Sequence, residues 1–217
     1  MHIRLSISVI MDILFWSGGK DAFMALQFYQ KQYPGQELQL LTTYEETTNI
    51  VPHQNIPLSH IQKQAATLEL KLNCVPLPRE CPNEVYLDSV DQALKQIKSK
   101  IEWLVFGDLH LQDVRSWREE MFEKRGYKCR FPIWNKSIHE LLPVLQLQPV
   151  SIKISAVMDK FRHLIRVGES FDQSFIKQLQ YLQEDIDPMG EKGEFHTKVS
   201  FHIPEAPSHQ KLRPQIE

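Results

Sequence analysis

The stretch Ser17-Gly18-Gly19-Lys20-Asp21 decides how this 217-residue sequence folds. It follows a short apolar run typical of a buried strand, and apolar residues at helical spacing come directly after it. Two adjacent glycines let backbone N–H groups turn toward one anion, and the start of a helix adds its positive end. A strand, this loop and a helix in that order therefore predict a site for the phosphates of a nucleotide.

The side chains of the loop extend this prediction. We expect Ser17 to contribute a hydroxyl donor and Lys20 a positive charge, beside the backbone amides of Gly18 and Gly19. Asp21 supplies a carboxylate of the kind that holds Mg²⁺. The loop matches neither GxxxxGK[ST] nor GxGxxG, so those two nucleotide-binding types are excluded. The alternative interpretation is a plain strand-to-helix turn that needs two glycines for its own geometry.

Strand-like and helix-like stretches alternate through residues 1–132. Residues 38–44, 74–77 and 103–106 predict strands, and helical periodicity lies between them. Residues 45–57 are polar and without periodicity, which predicts a loop. Such alternation is typical of βαβ units, so the sequence predicts an α/β domain with a parallel sheet.

The pattern changes in the C-terminal part of the chain, which predicts a smaller second lobe over residues 133–203. Residues 150–157 alternate like a strand. The tail at 204–217 contains prolines and little to bury, so we expect it to be loose. Residues 1–10 are either a short edge strand or an artefact of start assignment, with Met11 as a second candidate start.

Composition excludes several functional classes. The 25 Lys and Arg balance 27 Asp and Glu, so there is no net basic field and nucleic acid is disfavoured as a partner. No apolar run is long enough to span a membrane. The three cysteines form no CxxC pair and the histidines lack ligand spacing, which argues against zinc and for a reducing compartment. Since the start also lacks a cleavage site, we expect a cytoplasmic protein.

Gly107 and Asp108 follow the fourth predicted strand, at the same sheet edge as the glycine loop. Gly107 would let a nucleotide approach the backbone, and Asp108 is a candidate to hold a metal or a ribose. A simple strand-to-helix turn is the alternative. On the next helix Arg115 and Glu119 are four residues apart, so they are either substrate contacts or a solvated ion pair.

The segment at residues 187–197, DPMGEKGEFHT, concentrates glycines, acids, a histidine and a threonine. A loop with so many polar groups is better explained by a ligand than by packing. The alternative is an acidic surface turn before a strand. His196 alone would be read as an ordinary strand histidine, and it becomes a candidate because Glu194 and Thr197 accompany it.

Together these motifs resemble a known group of enzymes. SGGKDA is similar to SGGxDS, the mark of the N-type ATP pyrophosphatases or PP-loop superfamily, with Ala22 at the last position. With GDLxxxxxRxWxE, FPIW and DPMGEKGEFHT, the chain resembles the diphthine–ammonia ligase (diphthamide synthetase) family over residues 12–199. The resemblance implies an open, mainly parallel five-stranded sheet with helices on both faces and a smaller C-terminal α+β lobe. ATP would lie across the carboxyl ends of the strands.

The resemblance also implies an activity. Family members activate a carboxylate with ATP and pass it to ammonia, making an amide, AMP and pyrophosphate. ATP and Mg²⁺ would be the cofactors, with Lys20 and Asp21 catalytic. Glu194 or His196 is the expected base that takes a proton from ammonium. In the family the DPMGEKGEFHT segment lines the pocket for the acceptor, and the resemblance implies the same role here for four residues: Glu191, Glu194, His196 and Thr197.

Three alternatives stay open on the sequence. One is a PP-loop ligase that amidates a small bacterial metabolite such as a corrinoid acid, rather than a protein side chain. Another is a tRNA-modifying PP-loop enzyme, against which the missing cysteine pair and basic surface argue. The third is a nucleotide-binding module without turnover, which only Ala22 supports. Whether the chain forms a homodimer is also open. In every case we expect a cleft facing Gly18, with Gly107 on one wall and Glu194 with His196 on the other.

Overall fold

The computed structural model describes residues 10–146, 149–182 and 184–202. Its first part alternates strands and helices. In chain order these elements are β1 (Ile10–Phe15), α1 (Lys20–Gln32), β2 (Glu37–Glu45), β3 (Ile50–Val51), β4 (Ile56–Pro57), α2 (Leu58–Thr67), β5 (Leu72–Leu77), α3 (Asn83–Lys95), β6 (Lys100–Val105), α4 (Gln112–Glu123) and β7 (Lys128–Arg130). The tail at 204–217 lies outside the described residues, as do all but one of residues 1–10.

A parallel sheet organises this part of the chain. Five strands pair in parallel in the order β5-β2-β1-β6-β7, which confirms the predicted fold class. The apolar strand β1 is central, because Leu14 lies between Leu40 of β2 and Val105 of β6. The carboxyl ends of β1 and β6 are therefore neighbours, and the loops that follow them meet.

Helices cover both faces of the sheet. On one face, α1, α2, α5 (Ile138–Gln146) and the C-terminal elements share one buried cluster. On the other face, α3 and α4 close a second cluster around Phe106 and Phe122. A charge is buried within the sheet itself, since Asp12 is fully buried and accepts from the Tyr29 hydroxyl at 2.6 Å. The guanidinium of Arg130 lies 3.1 Å from the same carboxylate.

The prediction of a plain loop at residues 45–57 is wrong. Strands β3 and β4 form an antiparallel hairpin there, paired to the end of β2. Three residues of the segment adopt left-handed backbone conformations, namely Asn49, His53 and Asn55. Asparagine tolerates this region better than most residues. Strands of two residues are too short to show periodicity, so sequence patterning had no means of finding them.

Helix α2 begins two residues earlier than a cap at Ser59 would place it. Ser59 with Gln62 resembles a capping box, yet the helix starts at Leu58 and its N-cap is Pro57, which makes no side-chain cap. The Leu58 N–H donates instead to the Asn49 carbonyl at 2.8 Å. The hairpin therefore sets the start of the helix.

The C-terminal part is built on a second, two-stranded antiparallel sheet. Its elements after α5 are β8 (Val150–Val157), a 3-10 turn (Asp159–Phe161), α6 (Gln173–Tyr181) and β9 (Phe195–Phe201). Asp172 caps α6 by accepting the Phe175 N–H at 3.0 Å. The boundary between residues 1–132 and 133–203 stays a prediction. Within the described ranges, every helix is too short or too polar to cross a membrane.

Candidate active site

The glycine loop joins β1 to α1. Each of its two glycines is required because a side chain at that position would collide with a different neighbour. Gly18 has a left-handed φ of 79°, and a Cβ there would collide with the Ile61 and Gln64 side chains of α2. Gly19 is the N-cap of α1. A Cβ on Gly19 would lie 3.0 Å from the Thr197 carbonyl oxygen. Larger residues would push α2 and β9 away from the loop.

Lys20 and Asp21 form a close ion pair at the start of α1. The Lys20 ammonium donates to both Asp21 carboxylate oxygens, at 2.7 and 2.8 Å. Lys20 is only 2% exposed. Its ammonium lies 5.5 Å from the Phe171 ring centroid and 6.0 Å from that of Phe195, so the C-terminal part of the chain covers it.

Burial raises the pKa of the Asp21 carboxyl, and the Lys20 ammonium opposes that shift. Asp21 nevertheless lines a cavity at the carboxyl ends of the strands. The pair therefore places the buried Lys20 ammonium next to a residue that lines the cavity.

This cavity has a volume of about 1020 Å³. Pockets for one drug-sized ligand range from about 300 to 1,000 Å³, so there is room for a nucleotide and a second substrate. Six of the site residues predicted from sequence line it: Ser17, Asp21, Gly107, Asp108, Glu191 and His196.

Gly107 packs directly on the start of α1. A Cβ there would lie 2.8 Å from the Asp21 carbonyl oxygen and 3.0 Å from the Ala22 nitrogen. Asp108 is engaged by Arg118, whose Nε lies 2.7 Å from the carboxylate. Asp108 thus lines the cavity as half of an ion pair.

The acidic segment at residues 187–197 reaches the same cavity from the C-terminal part of the chain. The Glu191 carboxylate accepts the Leu109 N–H at 3.2 Å, directly after Gly107 and Asp108. His110 lies 2.9 Å from the Asp187 carboxylate, which makes a second link. Burial first, and the charge of Asp21 next, raise the pKa of Glu191 to about 8.

His196 lines the cavity beside Glu191. Its ring centroid lies 6.2 Å from that of His53, which the β3–β4 hairpin presents. Burial, followed by the charge of His53, lowers the pKa of His196 to about 4. The imidazole of His196 is therefore neutral at physiological pH.

Glu194 and Thr197 lie behind this wall. Both are buried and neither lines the cavity. Glu194 accepts the Asp187 N–H at 2.8 Å, a hydrogen bond that joins the two ends of the loop at residues 187–194. Thr197 accepts the Lys20 N–H at 3.0 Å. Of the expected pair Glu194 and His196, only His196 lines the cavity, and Glu191 lines it in place of Glu194.

Arg115 and Glu119 lie away from the cavity. They form an ion pair with Nε and Oε1 2.9 Å apart. The Arg115 guanidinium also lies within 5 Å of the Phe131 and Trp134 ring centroids. These contacts agree with the alternative of a partly solvated ion pair, and their assignment to substrate stays untested.

Sequence reasoning missed several lining residues. His53 and Gln54 come from the hairpin read as a loop, and Cys81 comes from the β5–α3 connection. Trp117 and Arg118 line the cavity too, and both stand inside the motif GDLxxxxxRxWxE. That motif was the available signal for these last two residues.

The residues facing the cavity fit a magnesium ion. Mg²⁺ takes one or two protein carboxylates and completes its shell with phosphate oxygens and water. Asp21 offers such a carboxylate, whereas Asp108 is paired with Arg118 and the pKa of Glu191 is raised. Among the described residues no three His, Cys, Asp or Glu form a ready metal cluster. An ion there would depend on the nucleotide for its other ligands.

The family model for the diphthamide synthase N-terminal domain matches residues 10–129, more than half of the chain. The chain belongs to this family. The family is part of the PP-loop superfamily. Within residues 10–129 the match contains the glycine loop, Gly107 and Asp108, while the acidic segment lies beyond it.

Two solved structures show a weaker similarity. The U34-tRNA thiolase NcsA of Methanococcus maripaludis, with its [4Fe-4S] cluster, is 16% identical, with a TM-score of 0.41 over 66% of this chain and 59% of that one. A predicted tRNA methyltransferase subunit of Methanocaldococcus jannaschii is 14% identical, with a TM-score of 0.39 over 79% and 85%. The chain thus spans about three fifths of the thiolase. With TM-scores below 0.5, neither similarity carries a functional argument. Comparison with curated proteins finds no match.

Proposed function

We propose that the protein is an ATP-dependent amide-forming ligase. It adenylates a carboxylate, releases pyrophosphate and transfers ammonia to the activated acyl group. The observation that carries this proposal is the meeting of two elements on one cavity, namely Asp21 of the glycine loop and Glu191 with His196 of the acidic segment. A phosphate site and an acidic acceptor wall are the two parts that such a reaction needs.

In the first step a carboxylate oxygen of the acceptor attacks the α-phosphorus of ATP. A P–O bond forms, and the bond between the α-phosphorus and the departing pyrophosphate breaks. The loop amides and Lys20 stabilise the charge on the pyrophosphate, which is catalysis by positioning and electrostatics. Asp21 would hold Mg²⁺, which adds positive charge at the phosphates when bound.

In the second step ammonia attacks the acyl carbon and the C–O bond to AMP breaks. Ammonium must first lose a proton, and the resulting amide nitrogen loses another. Glu191 is the proposed acceptor for these protons, because it lines the cavity and its pKa of about 8 lies close to neutral pH. Glu194, buried and bonded to Asp187, supports the loop instead.

The acceptor is a carboxylate on a protein side chain or on a small metabolite. The cavity volume of about 1020 Å³ supports a second substrate beside ATP. Arg79 and His53 line the cavity and would favour an anionic acceptor. All three cysteines are free thiols, which supports a cytoplasmic setting.

The alternative of a tRNA-modifying enzyme has no comparable support. Of the three cysteines only Cys81 lines the cavity, so no cysteine pair faces the glycine loop for sulfur transfer. A module without turnover is opposed by Glu191 and His196, whose shifted pKa values are typical of catalytic clefts.

The test is incubation with ATP, Mg²⁺, ¹⁵N-ammonium and a panel of carboxylate acceptors, including diphthine-bearing elongation factor and corrinoid acids. We expect label in an amide and AMP in matching amount. Lys31→Ala, on the exposed end of α1, serves as the control variant. ADP as the product, or turnover that does not depend on ammonium, would overturn the proposal.

A further inference from the structure

The buried side chain of Gln64 in α2 joins three parts of the protein. Gln64 is 2% exposed and lies beneath the glycine loop. Its carbonyl oxygen accepts the Trp16 indole N–H at 2.8 Å, at the end of β1. Its amide nitrogen donates to the Gly18 carbonyl at 3.0 Å and to the Val199 carbonyl of β9 at 2.7 Å. Both donors and the acceptor are therefore used to hold the loop against β9.

Strand β9 also bonds to the glycine loop directly. The Val199 N–H donates to the Gly18 carbonyl at 3.0 Å, so this carbonyl accepts from α2 and from β9 together. His60 places its Nε2 2.7 Å from the Val199 carbonyl. Residues more than 130 positions apart in sequence thus form one hydrogen-bonded unit around Gly18.

Thr197 completes this unit by capping helix α1. The N-cap of α1 is Gly19, which has no side chain to accept a helix N–H. The Thr197 hydroxyl accepts the Lys20 N–H at 3.0 Å instead, across 177 positions of sequence. Ala22 stands where the motif usually has a serine, and a hydroxyl at this helix start is supplied by Thr197 of β9.

We propose that strand β9 is part of the nucleotide site and that Thr197 and Gln64 are positioning residues for the phosphate loop. Docking of the C-terminal hairpin fixes the Gly18 peptide and the first turn of α1, and so sets the direction of the loop amides. This inference rests on the proposed binding of ATP at the loop. It predicts that residues 10–129, the span of the family match, do not form a competent phosphate site by themselves.

A consequence is reciprocal coupling between the two lobes. If β9 orders the loop, a nucleotide that orders the loop must also hold β9 in place. An ATP analogue should then slow amide hydrogen exchange at Val199, although Val199 does not line the cavity. Acceptor binding at Glu191 and His196, on the same segment, would in turn favour the loop conformation that binds ATP.

The decisive variant is Thr197→Val, which keeps the shape and removes the hydroxyl. We expect this variant to bind a non-hydrolysable ATP analogue with Mg²⁺ roughly tenfold more weakly, which is the change in affinity that matches the free energy of one lost helix cap. Calorimetry measures this affinity. Thr197→Ser should restore the affinity, and KM for ATP should rise more than kcat falls. Thr67→Val, at the exposed end of α2, is the matched control and should bind like the wild type.

Gln64→Met gives an independent readout, since it keeps the length and loses all three hydrogen bonds. In the full chain without nucleotide, we expect faster amide exchange at Lys20 and Val199 in this variant. Exchange slower than or equal to wild type, together with unchanged analogue affinity in Thr197→Val, would overturn the inference. If the wild type fails to bind the analogue, the proposed function fails, while the exchange result at Lys20 and Val199 still tests the link between loop and hairpin.

Discussion

Replacement of Glu191 by glutamine should change how stability depends on pH. The pKa of Glu191 rises from 4.5 to about 8 in the folded state. Such a shift means that ionised Glu191 lowers the free energy of unfolding by at most about 5 kcal/mol. Screening by solvent in the cavity reduces this penalty to on the order of 1–2 kcal/mol. Because the folded state holds its proton up to higher pH than the unfolded state, this penalty grows as pH rises from 4.5 to 8.

Glu191→Gln removes this titration. We expect the variant to be more stable than the wild type at pH 9 and close to it at pH 5, measured by urea unfolding. Glu120→Gln, on the exposed face of α4 with Lys124, is the control for losing an ordinary surface carboxyl. Differences between variant and wild type that stay constant from pH 5 to 9 would refute the reasoning about Glu191.

Three further predictions concern the loop and the sheet. Lys20→Ala should abolish pyrophosphate release and, because Lys20 is buried against Asp21, lower the denaturation midpoint as well; normal release would contradict the site. Gly107→Ala places a Cβ 2.8 Å from the Asp21 carbonyl, and should cost about 1–3 kcal/mol of stability with loss of nucleotide affinity; unchanged calorimetric titration would contradict this. Arg130→Met leaves the buried Asp12 carboxylate without its cation, which should cost about 3–5 kcal/mol in denaturant unfolding; a change below about 1 kcal/mol would show that the pair is not needed.

Local signals explain what the sequence predicted well. The glycine loop joins a strand to a helix within a few residues, and that order alone indicates a phosphate site. Gly107 and Asp108 follow a strand that pairs with β1, so sheet topology brings them to the loop. Strand periodicity likewise predicted residues 150–157, which form β8.

Features that depend on tertiary packing were not visible in the sequence. Thr197 reads as a cavity residue in its polar motif, yet its hydroxyl caps a helix that begins 177 positions earlier. The sequence does not distinguish the two glutamates Glu191 and Glu194. In the structure Glu194 is bonded to Asp187 within its own segment, whereas Glu191 lines the cavity. His53 owes its place to a hairpin whose strands have two residues each.

The thiol of Cys81 lines the cavity, so a covalent probe attached there would sit in the site, and because burial raises the pKa of this thiol the labelling should be done at alkaline pH. Cys74 is exposed and would need replacement by serine, whereas burial raises the pKa of Cys129 to about 12 and keeps that thiol unreactive. A fluorophore or a mild electrophile at Cys81 would then report cavity occupancy without knowledge of the acceptor. Fragments that carry a carboxylate and a cysteine-directed group could be screened by mass spectrometry of the labelled protein. The chemical features shared by the bound fragments would indicate what kind of acceptor the cavity takes.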